Sequence, residues 1–145
     1  DFIKHVIRPA VAAPFYYQVK PTFRIGLPGN KFVGEYHKDG DYNHKDYEVN
    51  FNLGLANYGG PASLQVEKEE GSGDFGWLDC EYGKVFSFDH IDCLHGAEAN
   101  TLGVTMVSMD FRLAIESLYY DCDDAKSLNA GSAFKPGGYF SSEVV

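Results

Sequence analysis

Two stretches of this chain alternate side-chain character with a period of two, and they constrain the fold more than any other feature. Residues 103–113 put Val104, Met106, Ser108, Asp110 and Arg112 on one side, and Thr105, Val107, Met109, Phe111 and Leu113 on the other. Residues 47–56 put Glu48, Asn50 and Asn52 opposite Val49, Phe51, Leu53 and Leu55. Successive side chains of an extended strand leave opposite faces, so this period selects strand over helix. Shorter strand-like segments recur at 23–27, 31–37, 62–68, 76–80, 84–88 and 93–96. Turn residues such as Pro28-Gly29-Asn30 separate them. Many short strands divided by turn signals describe an all-β sandwich or barrel with little helix. One short helix is expected at 114–120. Residues 2–20 read as an edge strand or covering segment, and 121–145 as a polar tail wrapping the outside.

The chain has 145 residues, 44% hydrophobic and 15% aromatic, which fits a single domain (1–145) able to bury its own core. Twelve basic and 21 acidic residues give a formal net charge of −9. That field repels phosphate backbones, so nucleic acid is not an expected partner. No apolar run reaches the roughly 18 residues of a membrane span. Cys80, Cys93 and Cys122 are odd in number and form no CxxC. Reduced thiols in a cytoplasmic protein are the simplest reading, with a single disulfide as the alternative. No secretory leader is visible. The chain opens on Asp1 rather than Met, so an upstream segment is expected.

His37-Lys38-Asp39 ends one expected strand, and His95 ends another 58 residues later. Residues i and i+2 of an extended segment point the same way, so His37 and Asp39 can reach one ion. Two imidazoles and a carboxylate form the facial triad of non-haem Fe(II) oxygenases. Three positions on the metal then remain, enough for a bidentate 2-oxo acid and dioxygen. His44-Lys45-Asp46 is a second HxD seven residues on and competes with the first. His37 is preferred because a strand end is rigid, whereas His44 lies in a loop. His5 and His90 read as ordinary structural histidines.

Further motifs follow in order. After Pro28-Gly29-Asn30 and His37/Asp39 come Tyr42/His44 and Glu48/Asn50. His95-Gly96, Asn100, Gly103, Thr105, Ser108 and Asp110-Phe111-Arg112 complete the series. Together they resemble the Fe(II)/2-oxoglutarate oxygenases of the phytanoyl-CoA dioxygenase-like superfamily. The resemblance is closest to a group linked to streptomycin-type biosynthesis, and it spans most of residues 28–113. It implies a double-stranded β-helix, that is, a jelly-roll or cupin-like barrel. It implies Fe(II) on His37, Asp39 and His95, 2-oxoglutarate as cosubstrate, and a small molecule as substrate. Under it Asn50 helps hold the cosubstrate, while His44, Tyr36 and Tyr42 border the substrate pocket. No catalytic residue beyond the metal ligands is implied. In related halogenases a small residue replaces the carboxylate, so Asp39 favours hydroxylation or another oxidation.

The pattern departs at one position. In that superfamily a basic residue commonly stands 11 places after the distal histidine and binds the far carboxylate of 2-oxoglutarate. Here the place is Met106, followed by Val107 and Ser108. A thioether cannot bind a carboxylate. Arg112, helped by Ser108, is the expected substitute, although six extended residues separate it from 106 by about 20 Å. Arg24 and Lys84 are the other basic candidates. The rival to an oxygenase is a non-oxidative cupin-like metal-binding module or a sugar-modifying isomerase, with His90, Asp92 and Tyr82 as its acid–base set.

Overall fold

The computed structural model describes residues 1–122, 125–128 and 131–145. Among the described residues eight strands form in chain order: β1 (Phe15–Tyr17), β2 (Thr22–Gly26), β3 (Glu48–Gly54), β4 (Leu64–Glu67), β5 (Phe75–Leu78), β6 (Val85–Ser87), β7 (His95–Ala97) and β8 (Met106–Ile115). The two alternating stretches become β3 and β8, and they pair antiparallel from Glu48↔Ala114 to Gly54↔Ser108.

β8 organises the larger sheet. β3 lies on one of its edges, with β6 beyond. Its other edge is shared in succession by β1, which ends at Tyr17↔Leu113, and β2, which begins at Thr22↔Asp110. Five steps along the chain against three along β8 leave a two-residue bulge. Pro21, which has no N–H to pair, falls in it. The smaller sheet runs β5-β4-β7. An antiparallel bridge between His37 and His95 adds the chain around His37 to its β7 edge.

The odd-numbered face of β8 is apolar. Phe111 and Leu113 pack with Phe15 and Ile7, the latter from the helical turns Ile3–Ile7 and Arg8–Ala10. Burying each such side chain contributes about 1.5–3 kcal/mol. The even-numbered face looks toward the smaller sheet and is polar in its middle, with Ser108, Asp110 and Arg112 all buried. Apolar clusters close it at both ends. Met106 joins Tyr58, Ala62 and Cys80 at one, and Ala114 joins Tyr47, Phe134 and Phe140 at the other.

The mostly-β, jelly-roll-like architecture matches the expectation, but the two sheets form an open sandwich and not a closed barrel. Residues 31–37 are not a strand, because only His37 reaches a partner. The expected helix at 114–120 shrinks to a 3-10 turn, Glu116–Leu118. Pairing of Tyr16 with Ala114 and of Phe15 with Ile115 holds that stretch extended. The tail does not merely wrap the outside, since Phe134 and Phe140 are core residues. Residues 123–124 and 129–130 of that tail lie outside the described residues. All three cysteines are free thiols. No helix among the described residues is long and apolar enough to cross a membrane.

Candidate metal centre

The bridge between His37 and His95 brings together two residues far apart in sequence. Each donates its backbone N–H to the other's carbonyl at 3.0 Å. Their rings lie 4.6 Å apart, centre to centre. His37 Nδ1 is 2.8 Å from the Glu35 carbonyl, and His95 Nδ1 is 3.0 Å from that of Cys93. With Nδ1 turned to a backbone carbonyl, Nε2 is the ring nitrogen left to meet Asp39 or an ion. Both Nε2 atoms face one carboxylate oxygen, Asp39 Oδ1, at 3.5 and 3.6 Å.

Asp39 arrives from a different element. Lys38 is extended, and Asp39 opens the 3-10 turn Asp39–Tyr42, which ends on Asn43 in the left-handed region. Backbone hydrogen bonds from Asp39 N to His90 O and from Gly40 N to Ile91 O anchor that turn. Three ligand atoms, one from each of His37, Asp39 and His95, lie within 4.8 Å of one another. Donors about 2.1 Å from a shared ion lie roughly 3.4 Å apart at a tetrahedral angle. The donor set, two oriented imidazoles and a carboxylate, therefore fits a divalent transition metal.

The electrostatics point the same way. Burial tends to raise the pKa of Asp39, but hydrogen bonds from His37 and His95 and the charge of Arg112 hold it well below the ordinary carboxylate range. Asp39 in turn raises the pKa of His37, against partial burial. A field that favours a proton between these groups also favours a cation. Burial tends to lower the pKa of Arg112, and the Asp39 charge more than reverses this, so the guanidinium is held protonated.

Arg112 is thus the partner of Asp39, the candidate carboxylate ligand. Its NH2 binds Asp39 Oδ2, its NH1 donates to the Tyr139 hydroxyl at 3.1 Å, and its Nε lies 3.9 Å from Glu48 Oε2. This engagement, not a free guanidinium, meets whatever enters the site. Ser108 is fully buried two layers further in and pairs with Arg24 of β2. Asn50 faces the interior beside the triad, and its Oδ1, like that of Asn52, has no hydrogen-bond partner among the described residues. Met106 is sealed in the apolar end.

A cavity of about 480 Å³ opens from the triad to the surface, with Tyr42, His44 and Tyr139 along it. Tyr42 stands edge-on to His37 at 5.2 Å. His44 does not compete for the metal. Its Nδ1 is 2.7 Å from Glu48 Oε2, while Asp46 is exposed and accepts from Tyr120. The second HxD is therefore split between two environments. Tyr36, expected at the pocket, turns the other way. It bonds Gln65 and Glu98, and its ring lies over Gly96, where an added Cβ would come within 2.8 Å of the ring. In an extended segment residue 36 must oppose residue 37. Lys84 is exposed and does not border this cavity. His90 is buried, whereas Asp92 is exposed and Tyr82 stands on an open turn, so no isomerase acid–base set assembles.

Sequence reasoning named Arg24 as a basic candidate but missed its pairing with Asp110, and it missed Tyr139 and Glu48 as parts of this site. Tyr139 comes from the tail, with no local pattern to flag it. Glu48 carried a signal, since its inward position on an alternating strand demanded a buried partner.

No protein-family model matches the chain. It is 35% identical over 125 residues to the streptomycin biosynthesis protein StrG of Streptomyces griseus. The match covers 86% of this chain and 59% of StrG, so the chain spans little over half of that relative. Among solved structures it is similar to a non-heme monooxygenase, ThoJ in complex with nickel, with a TM-score of 0.51 and 12% identity. That match covers 71% of this chain and 45% of the other. This likeness supports the jelly-roll-like fold.

Proposed function

We propose that this chain is an Fe(II)- and 2-oxoglutarate-dependent oxygenase that hydroxylates or otherwise oxidises a small molecule in the cytoplasm. The observation that carries this reading is the convergence of His37 Nε2 and His95 Nε2 on Asp39 Oδ1 at 3.5 and 3.6 Å. The names of the similar proteins, a streptomycin biosynthesis protein and a non-heme monooxygenase, agree with it.

Fe(II) with a chelating 2-oxo acid would supply the oxidising chemistry. The chain's own residues do the rest. His37, Asp39 and His95 would hold the ion. Arg112 and Tyr139 fix the Asp39 carboxylate so that Oδ1 stays turned to the histidines. Phe88 packs edge-on against the His95 ring at 5.1 Å and lines the inner space beside it. Tyr42 and His44 border the cavity that would receive the substrate. The −9 net charge gives a bias toward neutral or cationic substrates.

Protein mixed anaerobically with Fe(II) and 2-oxoglutarate is expected to develop a visible charge-transfer band. His37→Ala should abolish both the band and tight metal binding. No band, together with unchanged metal affinity in His37→Ala, would overturn the reading.

A further inference from the structure

We propose that Arg24, on β2, is the residue that binds the far carboxylate of the 2-oxo acid, in place of the blocked position 106. The inference rests on the oxygenase reading above and names the ligand contact that reading leaves open.

Antiparallel register orders the interior into layers. Ala114 and Glu48 form one layer and Arg112 and Asn50 the next. Then come Asp110, Asn52 and Thr22, followed by Ser108 and Arg24, and finally Met106 and Gly26. The last layer is closed. Met106 is fully buried, and a Cβ on Gly26 would meet Phe32 at 3.0 Å and Met106 at 3.3 Å. A ligand that enters from the metal can therefore go no deeper than the Arg24 layer.

Two arginines border that inner space, and they differ in availability. Arg112 gives NH2 to Asp39 and NH1 to Tyr139, and its buried Nε, without a hydrogen-bond partner, lies 3.9 Å from Glu48 Oε2. Arg24 gives Nε to Asp110 Oδ1 at 2.7 Å and NH2 to Oδ2 at 3.1 Å. This pairing aims the guanidinium and leaves NH1 without a partner among the described residues. Arg24 borders both the inner space and the outer cavity, and its side chain keeps about a third of its exposure.

Formal charge favours an acid here. Asp39, Glu48 and Asp110 face Arg24 and Arg112, so a divalent cation turns a balance of −1 into +1. The side-chain amides of Asn50 and Asn52 line the same inner space as Arg24. A hydrogen-bonded carboxylate–guanidinium contact is charge-assisted and directional.

The test compares 2-oxoglutarate with pyruvate, which has the same chelating head and no far carboxylate. Binding to the anaerobic Fe(II)-loaded protein is followed by the charge-transfer band and by calorimetry. Arg24→Gln should weaken 2-oxoglutarate binding roughly tenfold to a hundredfold, with pyruvate and Fe(II) affinity unchanged. Arg24→Lys should fall between. Because Arg24→Gln strands Asp110, the double variant Arg24→Gln/Asp110→Asn is measured beside it and should show the same selective loss. Equal 2-oxoglutarate affinity in wild type and both glutamine variants overturns the assignment alone. So does an equal loss of both acids. A wild type that binds Fe(II) but no 2-oxoglutarate overturns the oxygenase reading, and the assignment with it.

Discussion

Arg112 holds one oxygen of the Asp39 carboxylate and leaves the other between the Nε2 atoms of His37 and His95. The arginine thereby decides the direction from which the third ligand approaches. Partners that orient a ligand typically contribute 10–100-fold to metal affinity. Arg112→Gln should weaken Fe(II) binding by about that factor, read by competition with a chromophoric chelator. It should also cost about 3–5 kcal/mol in urea unfolding, because Asp39 and Glu48 lose a buried counter-charge. Unchanged metal affinity would mean that Asp39 keeps its orientation unaided.

The two HxD motifs should separate cleanly. His37→Ala removes a ligand and should abolish tight metal binding. His44→Ala and Asp46→Ala should leave metal stoichiometry intact, since neither side chain faces the triad. His44→Ala leaves the buried Glu48 with one partner fewer and should lower the melting temperature, whereas Asp46→Ala, at an exposed position, should change it little. Loss of metal in His44→Ala would contradict the assignment of ligands.

Gly96 follows the ligand His95, and the Tyr36 ring lies against its Cα. Gly96→Ala should destabilise by roughly 1–3 kcal/mol, the ordinary cost of overpacking. In a Tyr36→Ala background the same substitution should cost far less, because the clashing ring is gone. Equal costs in the two backgrounds would show that the ring is not the obstacle.

His90 is fully buried and its pKa is pushed down to about 3, first by burial and then by the charge of Arg112. Its folded pKa is thus below its unfolded value of about 6.5. Between those values the unfolded chain binds a proton that the folded chain does not, so stability rises with pH. Stability should fall by about 1.4 kcal/mol per unit as pH drops from 6.5 to 4.5. His90→Phe should flatten that slope in urea titrations at several pH values. An unchanged slope in the variant would assign the dependence to another group.

Much of the frame was legible without coordinates. The alternation of 47–56 and 103–113 identified the two central strands and their inward residues, because a half-buried strand cannot hide its period. The choice of His37, Asp39 and His95 came from the ordered motifs around them, since HxD alone is common and His44/Asp46 offered a second copy. The fate of residues 31–37 was not legible, since local propensity says nothing about whether a partner edge is within reach. The helix at 114–120 failed for the converse reason: β1 was waiting to pair with those residues.

Arg112 shows where one-dimensional reasoning stops. As a cation on the metal-facing side of β8 it was read as a cosubstrate anchor, yet its guanidinium is committed to Asp39, 73 positions away. Tyr139, supplied by the tail, completes that contact. No spacing rule connects residues 39, 112 and 139.

The sequence by itself determined the mostly-β class, the inward polar faces of the central strands and the residue types able to hold a metal, because these follow from periodicity and side-chain chemistry. Only the tertiary structure decided which histidines meet, which arginine is spent and which stays open, and that position 106 is sealed. Those outcomes depend on strand register and on segments distant in the chain, and a single register step would exchange every inward residue for its outward neighbour.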